Sequence, residues 1–128
     1  MIRLVMVLAL ATVAGRAVAA QSPAQIVAGK PTVAENVLHL RGLDTLNGTA
    51  RDITVRVGET VSFGHLEITA ETCRAPEDDA ADAYAFLRIR DVREDTARFS
   101  GWMFASSPAL SALDHPRYDV WVLSCSSD

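Results

Sequence analysis

Short runs in which apolar and polar side chains alternate, each closed off by a glycine, constrain this chain more than any other feature. In residues 51–57, Ile53, Val55 and Val57 alternate with Asp52, Thr54 and Arg56. An extended backbone sends the aliphatic set to one face and the polar set into water, the pattern of an antiparallel sheet with one wet side. Upstream, in residues 34–41, Leu38 and Leu40 share a face. Asn47-Gly48 lies between these two runs and suits the positive backbone dihedrals of a tight hairpin turn. Gly58-Glu59 and Gly64-His65 separate residues 60–63 and 66–70 in the same manner, which predicts a four-strand meander ending near Cys73.

A second set of strands follows a polar loop. Residues 84–92 carry Ala85, Leu87 and Ile89 on one parity, residues 97–105 centre on Trp102 and Phe104, and residues 118–125 carry Val120 and Val122. Ser107 before Pro108 opens a single short helical turn, which Asp114-His115-Pro116 stops. The expected fold is therefore all-β: one antiparallel β-sandwich or small barrel of about seven strands with one short helical turn.

The first residues read as an export signal: Arg3, an apolar run at 4–13, and small residues Ala17, Val18, Ala19 and Ala20. That run is too short to cross a bilayer core of about 30 Å. The expected organisation is a signal peptide over 1–20, cleaved after Ala19 or Ala20, a flexible leader over 21–33, and a β-rich domain over 34–128. Cleavage leaves ten basic side chains against sixteen acidic ones, a formal net charge of −6, which makes nucleic acid a poor partner. No membrane span is expected after cleavage, and the chain is expected to be exported.

Two cysteines after an export signal predict a disulfide between Cys73 and Cys125. With 51 residues between them, a chain-entropy argument assigns the bridge roughly 4 kcal/mol. Cys73 nevertheless shares parity with Glu67, Thr69 and Glu71, so either a bulge intervenes or the bridge lies at the rim.

Chemistry-bearing groups are sparse. His39, His65 and His115 have no helical spacing to pre-position them for a metal, and the acidic run Glu77, Asp78, Asp79 and Asp82 lacks a calcium-loop order, so no metal or cofactor is expected. Ser107, Asp114, His115 and Asp119 supply the residue types of a hydrolase without the turn that would expose its serine. The aromatics Trp102, Phe104, Tyr118 and Trp121 read first as core packing; exposed, they would form an interaction face.

The stretch 99–116 (FSGWMFASSPALSALDHP), followed by Tyr118-Asp119-Val120-Trp121 and Cys125, resembles the family catalogued as domain of unknown function 2155, small exported proteins of Gram-negative bacteria. Residues 40–44 (LRGLD), 57–64 (VGETVSFG), Cys73 and Ala85-Phe86-Leu87 extend the resemblance over nearly the whole mature domain. It implies a periplasmic address and offers no activity, cofactor or catalytic residue to carry over. The leading expectation is a non-enzymatic domain that binds an envelope protein. The alternatives are an enzyme using Ser107, Asp114, His115 and Asp119, and a small-ligand carrier with a cavity lined by the aromatic block. The oligomeric state stays open.

Overall fold

A computed structural model describes residues 30–128, together with Gly15. The expected signal peptide and most of the expected leader lie outside the described residues. Eight strands form two antiparallel sheets: β1 (Thr32–Glu35), β2 (Val37–Asp44), β3 (Thr49–Arg56), β4 (Thr60–Phe63), β5 (Leu66–Pro76), β6 (Tyr84–Asp91), β7 (Phe99–Phe104) and β8 (Tyr118–Ser126). The first sheet runs β1-β5-β6-β7, with β4 beside β1 on the same long strand β5; the second runs β3-β2-β8. The fold is the all-β sandwich that the alternation requires, with the expected single turn of helix reduced to a 3-10 turn at Pro108–Leu110.

The strand expected over 34–41 is two strands. The chain bends at Asn36, so β1 joins the first sheet while Val37, Leu38 and Leu40 turn inward on β2 in the second. This eighth strand also begins at Thr32, inside the segment read as leader. The four-strand meander is likewise corrected. β3 pairs only β2 and β4 pairs only β5, because the chain crosses from one sheet to the other at Gly58, whose φ of +90° a side chain would resist. The β2–β3 connection is a four-residue loop, Thr45 to Gly48, in which Gly48 alone takes positive φ. Asp44 holds it by accepting the amides of Leu46 and Asn47 and the Asn47 side-chain Nδ2.

Leu38, Leu40, Ile53 and Val55 of the second sheet and Leu66, Ile68, Leu87 and Ile89 of the first form one buried apolar cluster. Tyr118, Val120 and Val122 complete the inner layer from β8, and Leu113 closes it from the connecting loop.

The parity conflict at Cys73 is resolved by a bulge. Ala70 pairs Leu87 and Thr72 pairs Phe86, so Glu71 is the extra residue, and after it Cys73 and Ala75 face inward. A second bulge on β8 does the same: His39 pairs Ser124 and Leu40 pairs Val122, leaving Leu123 extra and turning Cys125 in. The two sulfurs meet between the sheets as a buried disulfide with Cα atoms 5.9 Å apart.

Candidate functional site

The four aromatics expected together are separated. Tyr118 is core, and Trp121 lies on the outer side of β8, beside Pro108, Ala109 and Ala112. Trp102 is not core: it is 38% exposed on the outer face of the first sheet, with Phe104 two residues on along the same face. The reason is register. Trp102 pairs Phe86 and Phe104 pairs Tyr84, and both partners stand opposite in parity to the buried Ala85 and Leu87.

Trp102 meets Tyr84 and Phe86 edge-on, each with ring centroids 5.4 Å apart, and Tyr84 lies 6.2 Å from Phe104. The Tyr84 hydroxyl shares a hydrogen bond with Thr32 Oγ1, and Arg74 Nε donates to that same oxygen, so β1 and β5 fix the rim of the cluster. Farther along the face, Arg88 pairs Glu71 and Arg90 pairs Glu67. One end of the face is therefore aromatic and the other is neutralised by ion pairs. Tyr84 and Phe86 were missed as site residues, although the inward parity of Ala85, Leu87 and Ile89 placed them outward.

A second cluster closes the end of the sandwich opposite the disulfide. The Asp91 carboxylate, 1% exposed, accepts Arg93 Nε (3.0 Å), Arg93 Nη2 (2.7 Å), the Arg93 amide (3.0 Å) and His115 Nε2 (3.0 Å). His115 Nδ1 accepts the amides of Arg117 and Tyr118, which leaves Nε2 as the ring's donor to Asp91. The Arg93 guanidinium foremost, then its amide and the His115 donor, hold Asp91 far below the usual carboxylate range. Alongside, Arg117 grips Asp44 through Nε (3.0 Å) and Nη2 (2.9 Å), which lowers the Asp44 pKa.

The Tyr118 ring fills the space between these two carboxylate centres. It packs against Phe63 and His115, lies under the Arg117 guanidinium at 5.0 Å, and accepts the His65 amide at its hydroxyl. Two glycines make room. A Cβ on Gly64 would stand 2.5 Å from the Tyr118 hydroxyl, and one on Gly42 would stand 2.8 Å from the Phe63 ring.

An aspartate–histidine pair invites a catalytic reading, but this one offers a substrate nothing. The His115 side chain is 2% exposed and both ring nitrogens are engaged, one of them by two backbone amides. Ser107 is exposed and makes no side-chain cap, Asp119 is exposed on β8, and among the described residues no hydrogen bond joins Ser107, Asp114 or Asp119 to His115. In the acidic loop, Asp79 caps the Ala81 amide and Asp78 pairs Lys30. Among the described residues no three histidine, cysteine, aspartate or glutamate side chains gather as metal ligands, and no helix is long and apolar enough to cross a membrane.

Fold and site together define a disulfide-stapled, two-sheet β-domain with one solvent-facing aromatic cluster and one end latched by buried polar groups. Residues 38–125 match the family described as "Uncharacterized protein conserved in bacteria (DUF2155)", and the chain belongs to it. It is 31% identical over 87 residues to "Uncharacterized protein RP359" of Rickettsia prowazekii (strain Madrid E), a match covering 65% of this chain and 56% of that relative. The chain thus spans little more than half the length of the curated relative it matches. No solved structure matches. The stretches that carried the resemblance supply Gly42, Asp44, Phe63, Gly64, His115 and Tyr118, all parts of the latched end.

Proposed function

We propose that this domain is exported to the periplasm and acts there without catalysis, docking a protein of the cell envelope on the aromatic end of its first sheet. The observation that carries the reading is Trp102, partly open to solvent and flanked edge-on by Tyr84 and Phe86. Aromatic side chains held in water by a rigid sheet cost little conformational entropy to bind, and tryptophan and tyrosine anchor protein interfaces more than most residues. A buried disulfide fits an oxidising compartment, as does the leader sequence.

Site-specific photo-cross-linking at native abundance tests it. A cross-linker at Phe104 should give a discrete adduct with another envelope protein, whereas one at Arg90, on the ion-paired end of the same face, should not. Equal labelling from both positions, or none from Phe104, overturns the docking reading; protection of the chain from protease in spheroplasts overturns the address.

A further inference from the structure

The β2–β3 loop, on which the latched end closes, carries a reactive pair of residues at its tip: Asn47 and Gly48, both exposed. An asparagine loses its side-chain amide when the backbone nitrogen of the following residue attacks Cγ. That nitrogen must be free of other bonds, uncrowded, and carried on a backbone able to turn. Gly48 meets all three conditions. Among the described residues no hydrogen bond engages its amide, and the loop is closed one residue further on, where Thr49 pairs Asp44. Nothing lies within 4 Å of where a Cβ would stand, and its φ of +66° is backbone that glycine visits freely. Asn36, the other asparagine of the chain, is also exposed, but it precedes Val37. Val37 is buried at the head of β2, and its branched side chain crowds the nitrogen and stiffens the backbone.

The Asn47 side chain is tethered to its own loop. Its Nδ2 donates to Asp44 Oδ2 at 3.1 Å, and its backbone amide donates to Oδ1 of the same carboxylate at 3.4 Å. That carboxylate is in turn gripped by Arg117. A change of charge at residue 47 therefore falls directly on one of the two carboxylates that hold the end of the sandwich.

We infer that Asn47 is a site of intramolecular deamidation, in which the Gly48 nitrogen bonds to Asn47 Cγ and the Cγ–Nδ2 bond breaks. Ammonia leaves, made of the departing amino group and the Gly48 amide proton, and a cyclic imide closes. One water then opens the ring at either carbonyl, giving aspartate or, with the backbone rerouted through the side chain, isoaspartate. No oxidant, reductant or cofactor enters. Either product turns the loop against itself. Asp44, which Arg117 foremost keeps ionised, loses the Nδ2 donor and meets a second carboxylate in its place. Isoaspartate also lengthens the β2–β3 connection by one methylene. The site is a slow, one-way loosening of the latched end, and it does not depend on what the aromatic face binds.

Peptide mapping of the mature, disulfide-intact chain, aged at body temperature and mildly alkaline pH, tests it, with fragmentation that separates aspartate from isoaspartate. Asn47 should lose its amide over days, with isoaspartate the major product, while Asn36 keeps its own. Gly48→Ala should slow the loss by about tenfold, since the added methyl crowds the nitrogen and resists the turn. Asn47→Gln keeps an amide in the loop but disfavours ring closure through its extra methylene, and should abolish the loss. If Gly48→Ala fails to fold by near-ultraviolet circular dichroism, Asn47→Gln decides alone. Backbone hydrogen exchange across residues 44–49 should quicken in the aged wild type and in fresh Asn47→Asp, and stay unchanged in aged Asn47→Gln. An amide that lasts as long at Asn47 as at Asn36 overturns the inference, as does loss from Asn47→Gln at the wild-type rate. Exchange at 44–49 that is the same in aged and fresh wild type overturns the loosening.

Discussion

The sandwich is closed at its two ends by different chemistry. At one end a covalent bond joins β5 to β8 between the sheets. At the other, Asp91, His115, Arg93, Asp44 and Arg117 hold the β7–β8 loop and the β2–β3 hairpin around Tyr118 through hydrogen bonds alone. The covalent end resists acid and yields to reductant; the hydrogen-bonded end resists reductant and yields to acid. A small domain has a thin core, and closing both ends compensates for it.

Breaking the covalent end should cost most. Cys73→Ala combined with Cys125→Ala should lower stability by about 4 kcal/mol, read as a shift in denaturant midpoint that reductant reproduces in the wild type and leaves unchanged in the variant. At the latched end, Gly64→Ala should cost about 3 kcal/mol, because the methyl meets the Tyr118 hydroxyl and the backbone sits at φ +57°. Gly48→Ala, at φ +66° but with open space around it, should cost only about 1 kcal/mol, and the contrast in thermal midpoints isolates the clash from the backbone term. His115→Ala should cost about 2 kcal/mol by stranding the amides of Arg117 and Tyr118. Asp91→Ala should cost more, since it frees Arg93 and the loop as well as the histidine.

Acid sharpens the comparison. Asp91 and Asp44 have lowered pKa values when folded, so the unfolded chain takes up protons first. Their contribution is complete above the ordinary carboxylate pKa near 4 and is lost as the pH falls below it towards the folded values. Amide exchange should therefore rise first around Tyr118 on acidification and last around Cys125. Trp102→Ala should cost only about 1 kcal/mol, from its edge contacts with Tyr84 and Phe86, while abolishing the Phe104 adduct, because the ring lies outside the core.

Much of the strand pattern was legible. Ile53 and Val55 alternate into the core as read, Gly64-His65 makes its two-residue turn, and two cysteines left one pairing. The outward set Tyr84 and Phe86 was also legible, since parity relative to Leu87 gives it directly. The exposure of Trp102 was not: hydrophobicity argues for burial, and only the partner strand tells which side of β7 the ring takes. The latched end was invisible for a related reason. Asp91 and His115 are separated by 24 residues, and nothing near either signals the other.

By itself the sequence determined the periodicity of each strand, the glycine turns and the identity of the disulfide, because each of these is set by neighbours along the chain or by simple counting. Tertiary structure decided which sheet each strand joins, where Glu71 and Leu123 bulge to turn Cys73 and Cys125 inward, which aromatics see water, and which buried carboxylate meets which donor. Those outcomes depend on register between segments distant in sequence, and a shift of one residue in register exchanges the inside of a strand for its outside.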